Sequence, residues 1–255
     1  MISFISDLDN TLIYSKIKTK GVCVEKIDDR ELSFMTPKAY EVLEKLLIQK
    51  DFHLIPCTAR SFEQTMRISF LQQHQPDYMI CDLGASIYHN GVKDENWEDY
   101  LLTKGILYPE KMRKIRGKID RFTDLSTCRK FVSNSDYFFV YCFYNTEDAK
   151  KFYVQVESEN DFKESEVSFY VSGRKVYCYP RHLDKSLAVG YLQDKIQPDK
   201  TITSGDSLFD FKFNQLGDLT ILPGHAEFLL NGFCSKSCGI EAGEDILSVL
   251  AKVAG

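Results

Sequence analysis

The segment that most constrains this chain is Asp7-Leu-Asp9-Asn-Thr11, which follows directly on the apolar run Ile2 to Ile5. A short apolar run that ends abruptly in two acids reads as a buried strand delivering carboxylates to the edge of a sheet. Carboxylates spaced i and i+2 repel one another and contribute nothing to folding, so their natural stabiliser is a bound hard cation, Mg²⁺ above all. A carboxylate beside such a metal points to phosphoryl chemistry.

At 255 residues the chain can bury a substantial core, either as one large α/β domain or as a core interrupted by a second domain. Apolar residues make up 44% and charged residues 27%, which excludes disordered, collagen-like and membrane-embedded classes. A net charge of −5 offers no basic footprint for nucleic acid. Met1 leads straight into a strand-like run, without a basic leader or cleavage site, and the eight cysteines are scattered through apolar stretches. The expectation is a reduced, cytoplasmic protein with no membrane partner and an oligomeric state that composition does not fix. Cys234 and Cys238 form a lone C-x3-C pair, a poor zinc signature.

Periodicity divides the chain in three. Thr36-Pro37 caps a helix with apolar positions Tyr40, Leu43, Leu46 and Leu47, Phe52 to Pro56 reads as a strand, Ser61 to Gln73 as one helix, and Tyr78 to Cys81 as a strand. This alternation predicts a parallel sheet. From Gly84 the pattern changes to a strand-like piece at Ser86 to Tyr88, a charged helix over Tyr108 to Phe122, an aromatic strand over Tyr137 to Tyr144, a helix from Thr146 to Ser158, and a hairpin of Val167 to Val171 with Lys175 to Tyr179. Alternation then resumes with a helix from Leu183, a strand at Thr201 to Thr203, a helix after Asp206, a strand at Leu219 to Leu222, a helix near His225 to Leu230 and a C-terminal helix from Glu241 to Val253. The predicted fold is α/β: a Rossmann-like core with a parallel sheet, in two segments (1–83 and 183–255), around an α+β insert (84–182).

Chemistry-bearing residues follow the core strands or open the next helix: Asp7 and Asp9, then Thr58, then Lys185, then Asp206 with Asp210. The carboxyl ends of parallel strands share one crevice, so these distant residues are expected to converge there. Each alone has an ordinary structural use, Thr58 as a helix cap and Asp206 or Asp210 as charges at a helix start. Their order along the chain is what argues for a site.

That order resembles a known pattern. Asp7-Leu-Asp9-Asn-Thr11, Cys57-Thr58-Ala59-Arg60, Lys185 and Gly205-Asp206-Ser207-Leu-Phe-Asp210 are similar to the four ordered motifs of haloacid dehalogenase-superfamily phosphatases. The insert between the second and third motifs resembles the cap of the Cof-like and sucrose-phosphatase-like branch, a cap type that phosphomannomutases share. The resemblance implies that Asp7 attacks phosphorus and that Asp9 protonates the leaving oxygen and then deprotonates water. It implies Mg²⁺ held by the Asp7 carboxylate, the Asp9 backbone carbonyl and Asp206, with Asp210 binding through water or orienting its neighbours. Thr58 would donate to a phosphoryl oxygen, and Lys185 would screen Asp7 and stabilise developing charge. Arg60 is expected either to contact substrate or to form a helix-surface ion pair, and Arg174 and Lys175 are placed at the substrate beside the hairpin turn, where a solvated turn is the ordinary use of such residues. Ala59, Leu83 and Ser186 depart from the related pattern, in which glycine, asparagine and glycine respectively are frequent.

The implied activity is hydrolysis of a small phosphorylated metabolite, a sugar phosphate above others, through an aspartyl phosphate. A phosphomutase would use the same intermediate but return the group to the sugar, and a regulatory protein could bind a phosphorylated ligand without converting it.

Overall fold

The computed structural model describes residues 1–15, 21–122, 125–164 and 166–254, which form two compact units. The first comprises Met1–Asp94 with Asp184–Gly255, and the second Glu95–Leu183. The division falls later than the change of pattern at Gly84 because strand Ser86–His89 turns back antiparallel onto Tyr78–Cys81 and so stays with the first unit.

The first unit is built on a parallel sheet in the order Phe233–Cys234, Leu219–Leu222, Lys200–Ser204, Ile2–Ser6, Phe52–Pro56. Ile2–Ser6 lies near its middle, paired residue by residue with Lys200–Ser204 on one side and Phe52–Pro56 on the other. A strand flanked on both edges and covered on both faces has no exposed side, and Ser3, Phe4, Ile5 and Ser6 are all buried. Tyr78–Cys81 extends this sheet only at its end, where Cys57 and Ile80 form a parallel bridge and the Thr58 N–H donates to the Ile80 carbonyl at 2.9 Å. Helix Pro37–Leu47 starts where Thr36 accepts from the Ala39 N–H and Pro37 takes the first turn, which needs no backbone donor. Its buried face, Ala39, Leu43 and Leu46, packs with Ile246, Leu247 and Leu250 of the C-terminal helix Ile240–Ala254 against Phe4, Leu54, Ile202 and Ile221.

Two expectations are corrected and a third is refined. Ser61 to Gln73 is not one helix but two short ones, Phe62–Thr65 and Ser69–Gln73. Ile68 between them is extended and fully buried, and it bridges antiparallel to Glu25, so a strand-like pairing wins over helical propensity at a β-branched residue. His225 to Leu230 forms turns rather than a helix, because the Glu227 N–H donates to the Asp206 carbonyl at 2.7 Å instead of to a carbonyl one turn back. The helix after Asp206 is a 3₁₀ turn, Leu208–Asp210, running into the single helical turn Phe211–Asn214. The structure adds a hairpin of Val22–Ile27 and Arg30–Met35, a helix Glu95–Thr103 and a strand Cys128–Ser135.

The second unit is an antiparallel sheet, ordered Val167–Ser172, Lys175–Pro180, Phe138–Phe143, Cys128–Ser135. Helices Pro109–Phe122 and Thr146–Ser158 share its core, in which Met112, Ile115, Ile119, Phe152 and Val156 meet Phe139, Tyr141, Phe143, Val176 and Cys178. Phe152 packs 4.9 Å from the Tyr141 ring and 5.1 Å from that of Phe143. Phe152→Ala is expected to cost about 3–5 kcal/mol of second-unit stability. Denaturant unfolding followed through Trp97, the chain's one tryptophan and buried in that unit, measures it.

Candidate active site

The parallel strands carry four chemical signals to one end of the first unit. Asp7 follows Ile2–Ser6 and is anchored by its own N–H, which donates to the Ser204 carbonyl at 2.9 Å. Thr58 follows the neighbouring strand, where the Cys57 N–H donates to the Ser6 carbonyl at 2.7 Å. Asp206 follows Lys200–Ser204, the strand on the other side. Lys185 opens helix Lys185–Ile196, capped by Asp184, whose carboxylate accepts from the Ser186 N–H at 2.9 Å.

At the centre the Lys185 ammonium lies 2.8 Å from Asp7 Oδ1 and 2.6 Å from Asp210 Oδ1. Lys185 and Asp210 are almost entirely buried and Asp7 nearly so. A buried ammonium at the positive end of a helix is doubly unfavourable, and two carboxylates offset it. Asp210 is saturated with donors, since its Oδ2 also accepts from the Asp206 N–H at 3.1 Å, the Ser207 N–H at 2.9 Å and the Ser207 hydroxyl at 2.8 Å. It therefore fixes both Lys185 and the backbone that carries Asp206. Gly205 is required for this approach: a Cβ there would lie 2.4 Å from Asp210 Cβ. Asp206 itself accepts from the Thr11 hydroxyl at 3.1 Å, which gives the last residue of the first motif a role that the sequence alone does not reveal.

One oxygen from each of Asp7, Asp206 and Asp210 lies within 4.8 Å of the others. Burial pushes the Asp7 carboxyl up to about 7 against the pull of Lys185, and burial with the repulsion of Asp7 and Asp210 pushes Asp206 up to about 9. Three acids crowded around one ammonium resist ionising together, and one divalent cation among them would relieve that repulsion and favour their ionised forms. The donor set, all oxygen, fits Mg²⁺.

Asp9 is not one of the three acids of that cluster. Its two carboxylate oxygens receive the Arg60 Nε and Nη2 at 2.7 Å each, a bidentate fork. Arg60, expected at a substrate or in an ion pair, directs its guanidinium at Asp9 and at the buried Glu25, 3.0 Å away. Burial alone would lower the Arg60 pKa, but the two acids outweigh it and hold it above the ordinary value. Thr58 Oγ1 accepts from the Arg60 N–H at 3.2 Å, leaving its hydroxyl proton to be donated. Arg174 and Lys175 sit on the exposed turn of the hairpin in the second unit.

Sequence reasoning missed Glu25, Ser207 and His225. His225 accepts from the Gly239 N–H through Nδ1, so its Nε2 carries the proton donated to the Asn10 carbonyl at 2.8 Å and ties down the turn after Asp9. Asn10 needs that support because it is held left-handed at φ 61°. Leu83 has the same φ, which only asparagine or glycine adopts cheaply, and this gives a physical reason for asparagine's frequency at that position. Gly84 follows at φ 94°, and a Cβ there would press on the Asp184 carbonyl and Lys185 Cα at 3.1 Å.

Comparison with known proteins accords with this geometry. The family model of sucrose-6F-phosphate phosphohydrolase matches residues 2–227. Among solved structures, the sucrose-phosphatase of Synechocystis sp. PCC6803, in complex with sucrose and phosphate, superposes with a TM-score of 0.64 at 19% identity, over 98% of this chain and 96% of that one. The C-terminal domain of trehalose-6-phosphate phosphatase from C. albicans gives 0.67 at 14% identity, over 99% and 93%. A haloacid dehalogenase-like hydrolase protein from Bacillus subtilis gives 0.53 at 17%, over 97% and 91%. No curated protein matches the chain. Among the described residues no helix is long and apolar enough to cross a membrane. With its parallel α/β core and its acids gathered about one lysine, this chain belongs to the sucrose-6F-phosphate phosphohydrolase family of haloacid dehalogenase-type phosphatases, which are phosphoric monoester hydrolases.

Proposed function

We propose that this protein is a Mg²⁺-dependent phosphatase of a small sugar phosphate, acting through a phosphoryl group carried on Asp7. The observation that carries the reading is the Lys185 ammonium held between Asp7 and Asp210 beside a third acid, Asp206. Asp7, Asp206 and the Asp9 backbone carbonyl would hold the ion, with Asp210 behind them. Bound there, Mg²⁺ supplies charge neutralisation and polarises a phosphoryl oxygen.

The remaining work falls to the chain itself. Lys185 holds one oxygen of Asp7, which leaves the other to attack phosphorus, and its charge opposes the pull of burial toward the neutral carboxyl. The same ammonium balances charge that spreads over the phosphoryl oxygens as the bond to the leaving group breaks. Thr58 donates its hydroxyl to one of those oxygens. Asp9 gives a proton to the departing sugar oxygen, then takes one from the water that cleaves the acyl phosphate. A sugar phosphate is favoured as substrate by the family, and by the sucrose and phosphate bound to the Synechocystis structure. The eight free cysteines suit a reducing compartment such as the cytoplasm.

A panel of sugar phosphates with Mg²⁺, assayed for inorganic phosphate, tests the reading, and an isomeric sugar phosphate without free phosphate would point to a mutase instead. Asp7→Asn is expected to fold and to lose at least about a thousandfold in kcat on every substrate hydrolysed. Near-native turnover in that variant would contradict the mechanism. Mg²⁺ at about a hundredfold over its Kd is expected to stabilise the fold by about 3 kcal/mol, read as a rise in Tm, and Asp206→Asn is expected to remove most of that rise.

A further inference from the structure

Glu25 is a buried carboxylate to which the mechanism above assigns no role. Its side chain is 2% exposed, on strand Val22–Ile27 where the hairpin register slips at a bulge. Three side chains converge on it: Arg60 at 3.0 Å, Arg67 with Nε and Nη2 both at 3.1 Å, and the Ser33 hydroxyl at 2.6 Å. Its backbone bridges Ile68, and that bridge breaks the helix between Arg60 and Ser69. Buried ion pairs repay their desolvation poorly, and a bulge is a common means of aiming one side chain. Here the side chain is aimed at the guanidinium that grips Asp9.

That grip presents a chemical difficulty. The Arg60 fork engages both oxygens of Asp9 and fixes where their remaining lone pairs point, whereas proton transfer to a leaving group needs one of those oxygens turned to that group. Turning an oxygen to the leaving group loosens the fork, and a guanidinium whose side chain is 12% exposed then gives up part of its pairing with Asp9. Glu25 already holds Arg60 through Nη1 and Nη2 and would keep it paired. We infer that Glu25 is a positioning residue for the phosphatase reaction: it shares Arg60 with Asp9, and so sets how readily the acid/base carboxylate is released to the leaving group. Arg67 draws on the same Glu25 oxygen as Arg60 Nη1 and tempers this sharing.

The inference rests on the acid/base role proposed for Asp9, so the test compares two esters that differ in their need for an acid. p-Nitrophenyl phosphate loses a stabilised phenolate with little help, while phenyl phosphate needs the proton. The readout is the ratio of kcat/KM for phenyl phosphate to that for p-nitrophenyl phosphate, with Mg²⁺ present. Glu25→Gln leaves Arg60 with Asp9 as its one charged partner, tightens the fork and is expected to lower the ratio about tenfold. Glu25→Asp, which restores the charge, is expected to recover most of it. Arg67→Gln gives Glu25 wholly to Arg60 and is expected to raise the ratio, by about two- to threefold. Equal losses on both esters in Glu25→Gln would overturn the inference while leaving the phosphatase reading intact, since a purely structural defect is blind to the leaving group. If Glu25→Gln shows no cooperative melt, Arg67→Gln decides: an unchanged or lowered ratio overturns the inference. A native protein that releases phosphate from neither ester would bring down the phosphatase reading first, and this inference with it.

Discussion

One buried ammonium organises the first unit. Lys185 sits between Asp7 and Asp210, with the three side chains withdrawn from water, and removing the ammonium would strand two acids in the interior. Its demands explain features that otherwise look unrelated. The helix that begins at Lys185 needs Asp184 as its cap and Gly84 close beneath it. Asp210 can reach the ammonium only because Gly205 has no side chain, and it is locked there by the Ser207 and Asp206 amides. The parallel sheet places Asp7 and Asp206 on adjacent strands, so the third and fourth motifs meet the first even though more than 170 residues lie between Asp7 and Lys185.

The fold tolerates wide divergence in its side chains, because it rests on backbone pairing and on apolar periodicity that many residues satisfy. At 13–19% identity the solved relatives keep the fold while most side chains differ. Where this chain departs from the related pattern, physics locates the consequence. Ala59 and Ser186 fall at ordinary backbone positions, whereas Leu83 lies in a left-handed conformation that a leucine pays for and that its burial and neighbours must enforce. Strain of that kind next to the Lys185 helix is held by packing.

Much of this was legible in the chain. The apolar run before Asp7 gave the central strand, the Thr36-Pro37 start gave the first helix, and the ordered motifs announced which acids and which lysine belong together. Such features are local, set by periodicity, capping and turn chemistry. What escaped was tertiary. No local pattern says that Ile68 will pair with Glu25, that the Glu227 amide will serve the Asp206 carbonyl, or that Asp9 and Glu25 will be the acids that Arg60 clasps. The hairpin bearing Glu25 did leave a trace, since β-prone residues flank Asp28-Asp29 and Asp28 takes the left-handed conformation of a tight turn. The two arginines that Glu25 serves could not be read from it.

The account stands on Asp7 as the atom-bearing partner of phosphorus, and trapping the intermediate tests that most directly. Acid quench during turnover, followed by borohydride reduction and peptide mass spectrometry, converts an aspartyl phosphate to homoserine. The expected result is homoserine at position 7 alone, present with substrate and Mg²⁺ and lost when either is withheld. Turnover without homoserine at that position, or with the label on Asp9, Asp206 or Asp210, would contradict it.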